Sequence, residues 1–185
     1  MTGVDWRETT IDIGHGMRLR AWRVDDLDAL LRYADDESVA RGLSDRFPHP
    51  YTRADGEAFL AGKVVDFRDP LFAIEIDGQA CGGIGARRGR GERGHSAELG
   101  YWLGRAFWGQ GRMTAAVSAF APWTMRELRL YRLQAGVLDF NLASARVLSN
   151  SGFAEEGMQH NAVLKRDRLH DLRVFAKTRN FLDDA

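Results

Sequence analysis

The sequence is short of cysteine, proline and net charge, and each shortage removes a class of protein. Cys81 is the lone cysteine among 185 residues, so no intramolecular disulfide can form, and no second ligand stands at a metal-binding spacing from it. The expectation is a cytoplasmic chain without a metal, with Cys81 a small core residue in a strand. There are four prolines and no Pro/Ser-rich, repetitive or low-complexity tract, so residues 1–185 are expected to form a single domain. Twenty-six basic residues cancel twenty-six acidic ones, leaving no long-range field to recruit nucleic acid or an anionic bilayer. No stretch approaches the roughly 18 apolar residues of a membrane span. Met1–Glu8 carries charge and lacks the apolar run of a signal peptide.

Against these absences stands a clear alternation of β and helical patterns. Thr9–Ile13 and Met17–Arg23 are β-rich and separated by Gly14-His15-Gly16, which predicts a hairpin. Asp25 and Asp26 offer N-cap chemistry before Leu27, Leu30, Leu31 and Ala34, a helical face. Thr52 is expected to cap a second helix whose apolar residues include Ala58, Phe59, Ala61, Val64 and Val65. Leu71–Ile76, Ala80–Ala86 and Ser96–Leu103 then predict an antiparallel meander, with Asp77-Gly78 as its first turn. Arg87, Arg88, Arg90 and Arg93, interleaved with glycines, read as a solvated hairpin tip, or as a contact for an acidic partner.

A helix is predicted from Gly111 to about Leu128, with Pro122 expected to kink or break it. Leu130–Leu138 follows as a strand, Leu142–Ser151 as a helix closed by Gly152, and the tail from Phe153 as two strands around Lys165-Arg166-Asp167. This order predicts an α+β fold, a mixed and mostly antiparallel sheet flanked by helices.

The chemistry concentrates in Glu98–Ala116, where a strand passes through a glycine-bearing loop into a helix. Gly109 and Gly111 lack a Cβ and let backbone N–H groups approach a ligand. The first N–H groups of a helix have no intrahelical partner and lie at the positive end of its dipole, so the site suits a diphosphate. The glycines serve a tight strand-to-helix turn equally well. A dinucleotide fingerprint does not fit, because Thr114 occupies the place of its third glycine.

Leu99-Gly-Tyr-Trp-Leu103 and Phe107-Trp-Gly-Gln-Gly-Arg-Met-Thr-Ala-Ala116, followed by Asn141-Leu-Ala-Ser144 and Gly152-Phe153, resemble the GNAT superfamily of N-acetyltransferases. Glu156-Gly157 and His170-Asp171 are similar to its RimJ/RimL-like branch. The resemblance implies the GNAT fold and transfer of an acetyl group from acetyl-CoA to a primary amine. The acceptor would be a small molecule or a protein N-terminus, with no metal, nucleic acid or membrane involved, and a homodimer is compatible with the pattern. The cofactor would meet Tyr101, Trp102, Leu103, Trp108, Gly109, Gln110, Gly111, Arg112, Met113, Thr114, Asn141 and Ser144.

By the same resemblance, the strand Glu98–Leu103 would splay from Leu130–Leu138 and hold the pantetheine arm. Ser144 would protonate the departing thiolate, and Glu98 is the leading candidate for the base, ahead of His95 and Tyr101. Phe47, Tyr51 and His160 would line the acceptor pocket, and His170-Asp171 would be a structural pair. Three departures from the family pattern stand out. Ala106 sits where Gln or Arg is common, Leu148 where many members have a tyrosine acid, and Val163 where RimL carries a carboxylate. A non-catalytic acyl-CoA-binding regulator on the same fold is the second reading.

Overall fold

A computed structural model describes residues 6–179; most of the Met1–Glu8 segment lies outside that range. Within it are β1 (Thr10–Gly14), β2 (Met17–Ala21), α1 (Leu27–Ala34), α2 (Glu37–Arg41), α3 (Arg53–Leu60), β3 (Leu71–Ile76), β4 (Gln79–Arg88) and β5 (Ser96–Leu103). α4 (Arg112–Glu127), β6 (Arg132–Leu138), α5 (Leu142–Asn150), β7 (Ala154–Lys165) and β8 (Arg168–Thr178) complete the described chain. The strands hydrogen-bond in the order β1-β2-β3-β4-β5-β6-β8-β7, a mixed and mostly antiparallel sheet accompanied by helices, as the sequence predicts. Contacts divide the chain into two compact units, Met1–Gly85 with Tyr101–Ala116, and Ala86–Gly100 with Val117–Ala185.

In the first unit, β1 and β2 close over His15 (φ 53°) and Gly16 (φ 72°), a two-residue turn whose positive φ values match the twist of the strands. β2, β3 and β4 continue antiparallel, burying Leu19, Phe72, Ile74 and Ile84. Gly83 makes room on this face, since a Cβ there would come within 2.8 Å of the Trp102 indole nitrogen.

Asp26 corrects one expectation. Its carboxylate does not cap α1, because it is committed elsewhere. Arg20 Nη1 and Nη2 donate to Asp26 Oδ2 and Oδ1, each at 2.7 Å, while Arg20 Nε donates to Glu75. Arg18 donates to the other Glu75 oxygen, and the Arg23 N–H to Asp26 at 2.8 Å. A buried guanidinium needs its charge matched and its donors filled, and that need outcompetes a cap. Thr52 caps α3 as expected, but the helix ends at Leu60, so Val64 and Val65 lie beyond it and Val64 is exposed. The short helix α2, capped by Asp36, has too few apolar repeats to signal itself in sequence.

In the second unit, β6, β8 and β7 pair antiparallel, and β5 pairs with β6 in parallel through Ser96↔Arg132, Ala97↔Leu133 and Glu98↔Gln134. Val117, Phe120, Leu130, Leu133, Leu148 and Phe175 are fully buried. Pro122 does not end α4, which runs unbroken to Glu127. The lost bond would have gone to the Ser118 carbonyl, and both residues are exposed, so water can replace it.

The Arg20 network gives a stability prediction. Burial pushes the Glu75 carboxyl up, but hydrogen bonds from Arg20 and Arg18 outweigh burial and hold it below its ordinary value. Arg20→Met should lower the unfolding free energy by about 3–5 kcal/mol in urea titrations, because it leaves Glu75 with Arg18 alone and Asp26 with only the Arg23 N–H. The Glu75 contribution is present above its unfolded pKa and lost as pH falls through the lower folded one, so the deficit should narrow in acid.

Candidate functional site

The loop between β5 and α4 is braced by its own backbone and side chains. Gly104 N donates to Cys81 O at 2.8 Å, and a Cβ on Gly104 would strike the Tyr33 ring at 2.9 Å. A 3-10 turn over Arg105–Phe107 follows, with Phe107 N bonded to Gly104 O and Trp108 N to Arg105 O. The Trp108 indole N–H donates to Leu103 O at 2.7 Å, and Gln110 Nε2 to Ala106 O at 3.1 Å. Phe107 is gripped by Tyr33 on one contact and by the Arg112 guanidinium on another, both at 5.3 Å.

Gly109 and Gly111 complete the loop with φ of +72° each, a left-handed conformation that favours glycine. A Cβ on either would meet nothing within 4 Å, so the missing side chains are not explained by packing. The first helical bond of α4 runs from Ala115 N to Gly111 O, so the amides of Arg112 and Met113 precede the intrahelical ladder. The sixteen-residue helix has aligned its dipole behind that point. An anion therefore finds backbone donors, positive potential and no bulk in its way.

Other residues of this unit expected to meet the cofactor or the acceptor also pack against one another. Leu103 is 5% exposed and belongs to the core. The Trp102 ring packs on Phe47 at 5.4 Å, and Phe47 on Tyr51 at 5.2 Å, in a cluster with Leu30 and Ala34. Burial, helped by Asp55, pushes the Tyr51 phenol up to about 12, and Tyr51 N donates to Asp35. Phe47, Tyr51 and the Trp102 indole thus form an aromatic core. Burial likewise pushes the Cys81 thiol up to about 11, which removes it as a nucleophile at neutral pH.

In the second unit, Asn141 caps α5 by accepting from Ser144 N at 3.2 Å, which ties the two motif residues into one turn. Leu148 is fully buried, so core packing accounts for the residue at the family's tyrosine position. Glu98 is half-exposed, and its Oε2 receives the Arg87 guanidinium at 2.5 Å. The expected base is therefore already engaged by a cation. The arginine-rich tip also folds on itself, with Arg88 Nε on Gly94 O at 2.7 Å and Ser96 Oγ on Arg93 O at 2.9 Å.

His170 and Asp171 are not each other's partners, which corrects the expected pair. His170 Nδ1 lies 3.2 Å from Asp139 Oδ1, and its ring stands edge-on to Phe140 at 5.0 Å. His160 Nδ1 lies 3.0 Å from Asp171 Oδ2. Sequence reasoning missed Asp139 and this exchange of partners. Counting back from the Lys165↔Arg168 pair at the turn sets Asp171 opposite Ala162, but β7 slips register between Gln159 and Val163.

The chain resembles known acetyltransferases in sequence and in fold. The family model described as "Acetyltransferase (GNAT) domain" matches residues 17–154. A probable N-acetyltransferase of Bacillus subtilis, YjcK, is 40% identical over 81 residues, 44% of this chain and 45% of that protein. The chain thus matches less than half the length of that relative. An N-acetyltransferase of Bacillus licheniformis, p20, is 27% identical over 86% of this chain and 91% of its own. Among solved structures, RimL, a ribosomal L7/L12 alpha-N-protein acetyltransferase in complex with coenzyme A, superposes with a TM-score of 0.81 at 20% identity, over 92% of this chain and 98% of that one. The family match covers most of the chain, which therefore belongs to the GNAT acetyltransferase family.

Proposed function

We propose that the protein transfers the acetyl group of acetyl-CoA to a primary amine, by direct attack of the amine within a ternary complex. One observation carries the cofactor half of this reading: two glycines at φ +72° with open space at both Cβ positions, in a braced loop that feeds a long helix. Trp108 and Gln110 hold the loop, and the backbone from Gly109 through Thr114 receives the diphosphate. The Tyr101–Leu103 backbone takes the pantetheine arm, so the buried side chains there are no obstacle. Asn141 and Ser144 complete the cofactor contacts.

An acceptor amine is protonated in water, with a pKa of about 10.4 for a lysine-type amine and about 8 for an α-amine. One proton must leave before the lone pair attacks the thioester carbonyl, and another must reach the sulfur as it departs. No covalent acyl-enzyme is needed, which fits the buried Cys81. Ser144 is assigned to the second transfer. For the acceptor, RimL's action on a protein α-amine supports a protein N-terminus, and a small-molecule amine is the alternative.

A non-catalytic acyl-CoA sensor is the competing reading, favoured by the engagement of Glu98 with Arg87 and by Leu148 in place of a phenol. Thiol release from acetyl-CoA, measured with N-terminal peptides and polyamines as acceptors, separates the two. Turnover of any acceptor supports the transferase; tight CoA binding with none transferred supports the sensor.

Gly111→Val should raise the CoA Kd by about tenfold or more in calorimetry, since a branched side chain at positive φ strains the loop by about 1–3 kcal/mol and fills the anion's approach. An unchanged Kd would remove the helix mouth from the binding site. Ser144→Ala should lower kcat by about 10²-fold, a larger effect than on CoA affinity; equal loss at a pre-deprotonated, high-pH amine and at neutral pH would tie the effect to the thiolate rather than to the amine.

A further inference from the structure

Acetyl transfer leaves the arginines between β4 and β5 without a role, and the second unit gathers further cations beside them. The β5–β6 ladder begins at Ser96↔Arg132 and runs in parallel, so the segments that precede these two residues enter the sheet side by side. A backbone bond from Tyr131 N to His95 O, at 2.9 Å, extends that contact one residue back. Arg93 stands two residues before His95, and Arg129 two residues before Tyr131. Arg179 fastens the second segment: its N donates to Tyr131 O at 3.1 Å and its Nε to Leu130 O at 2.8 Å, with the guanidinium 5.1 Å from the Tyr131 ring.

The carboxylates nearby are already paired. Glu98 meets Arg87 at 2.5 Å, Glu127 meets Arg126 at 2.9 Å, and Glu156 meets Arg132 at 2.5 Å. Arg90, Arg93 and Arg129 are exposed and stand outside these pairs, and Glu92 is the single acid between Arg87 and His95. A chain whose charges cancel overall therefore concentrates a positive surplus at one end of its second unit.

The tip that carries the surplus is ordered. Gly89 N donates to Ser96 O at 2.9 Å, Arg93 N to Arg90 O at 3.1 Å and Gly94 N to Gly91 O at 2.9 Å, closing a 3-10 turn over Gly91–Arg93. A Cβ on Gly89 would strike the Arg93 carbonyl, and Gly91 adopts φ 56°, so this fold of the tip demands both glycines. Holding like charges close is unfavourable until an opposite charge arrives. A backbone ordered beforehand then loses less entropy on binding.

We propose that Arg90, Arg93 and Arg129 form a docking surface for an acidic segment of a protein partner, one that bears a run of Asp and Glu side chains. The surface lies outside the residues assigned to acetyl transfer and goes beyond that reading. A guanidinium fork matches a carboxylate with two parallel N–H···O bonds. A nucleic-acid strand fits less well. Its phosphates follow one another without a gap, whereas Glu92 and the Arg87-held Glu98 interrupt the arginines. The Tyr131 ring beside them already carries the Arg179 guanidinium where a base would stack.

Fluorescence anisotropy with a labelled glutamate oligopeptide, blocked at its N-terminus so that it cannot be acetylated, reads the docking alone. The wild type should bind it saturably, with an affinity that falls as salt rises, and should not bind a glutamine oligopeptide of equal length. Arg93→Glu should weaken binding by about tenfold or more, since like charges then face each other. Arg90→Gln and Arg129→Gln, which only remove charge, should each weaken it as well. Arg53→Glu, on α3 in the first unit, changes the net charge as Arg93→Glu does and should bind as the wild type does. An unchanged urea midpoint shows that each variant is folded. Absence of saturable binding by the wild type, or equal weakening in Arg53→Glu, would overturn the surface. So would a single-stranded RNA of equal charge that binds more tightly and loses affinity in Arg93→Glu, because the arginines would then serve a phosphate backbone. The assay contains no acetyl-CoA, so its outcome is independent of whether the protein transfers acetyl groups.

Discussion

Much of this molecule follows from one limit on backbone pairing: the parallel ladder between β5 and β6 spans three residue pairs and stops at Glu98↔Gln134, although β5 runs on to Leu103 and β6 to Leu138. Peptide N–H and C=O groups that leave a ladder must find other partners or water. β6 satisfies its other edge along its whole length against β8. A cofactor arm rich in amides can serve where a strand no longer does, and the loop that follows β5 ends in helix amides of the same kind. If the cofactor is held by peptide groups as proposed, Ala106 in place of a Gln or Arg side chain costs the loop no backbone donor. A backbone donor is unaffected by the side chain beside it, provided the φ and ψ angles that aim it are kept, and Gly109 and Gly111 keep them.

That division also decides what sequence can reveal. β5 was readable to the residue, because Ser96–Leu103 alternates buried and exposed positions, and α4 was readable because its apolar residues recur at helical spacing. The glycine mouth was readable because only a steric or conformational demand places two such residues at a strand-to-helix junction. Asp26 was misread because a carboxylate before a helix has the same sequence signature whether it caps the helix or neutralises an arginine six residues earlier. Pro122 was misread because its cost depends on whether the orphaned carbonyl faces water, a property of the folded surface and not of the local string.

The partners of the two late histidines were hidden for a different reason. Hairpin partners are predicted by counting from the turn, and that count fails wherever a bulge intervenes. Here the slip at His160–Ala162 moves each histidine to a different aspartate from the one its sequence neighbours suggest. His170-Asp171 is adjacent in sequence, yet successive strand residues point to opposite faces and cannot form a pair across one face. The functional candidates Phe47 and Tyr51 show the converse. Aromatics near a loop satisfy a pocket hypothesis and a core hypothesis equally well until burial separates them, and Tyr51 at 7% exposure belongs to a core.

Two charged clusters among the described residues show how burial sets the energetic weight of an ion pair. Arg20 is surrounded by two carboxylates with side chains at most 7% exposed, so a change that leaves any of these buried charges uncompensated is costly. The His160–Asp171 pair sits at the surface, where water screens it, and an exposed pair of this kind adds little to folding whatever holds it in place.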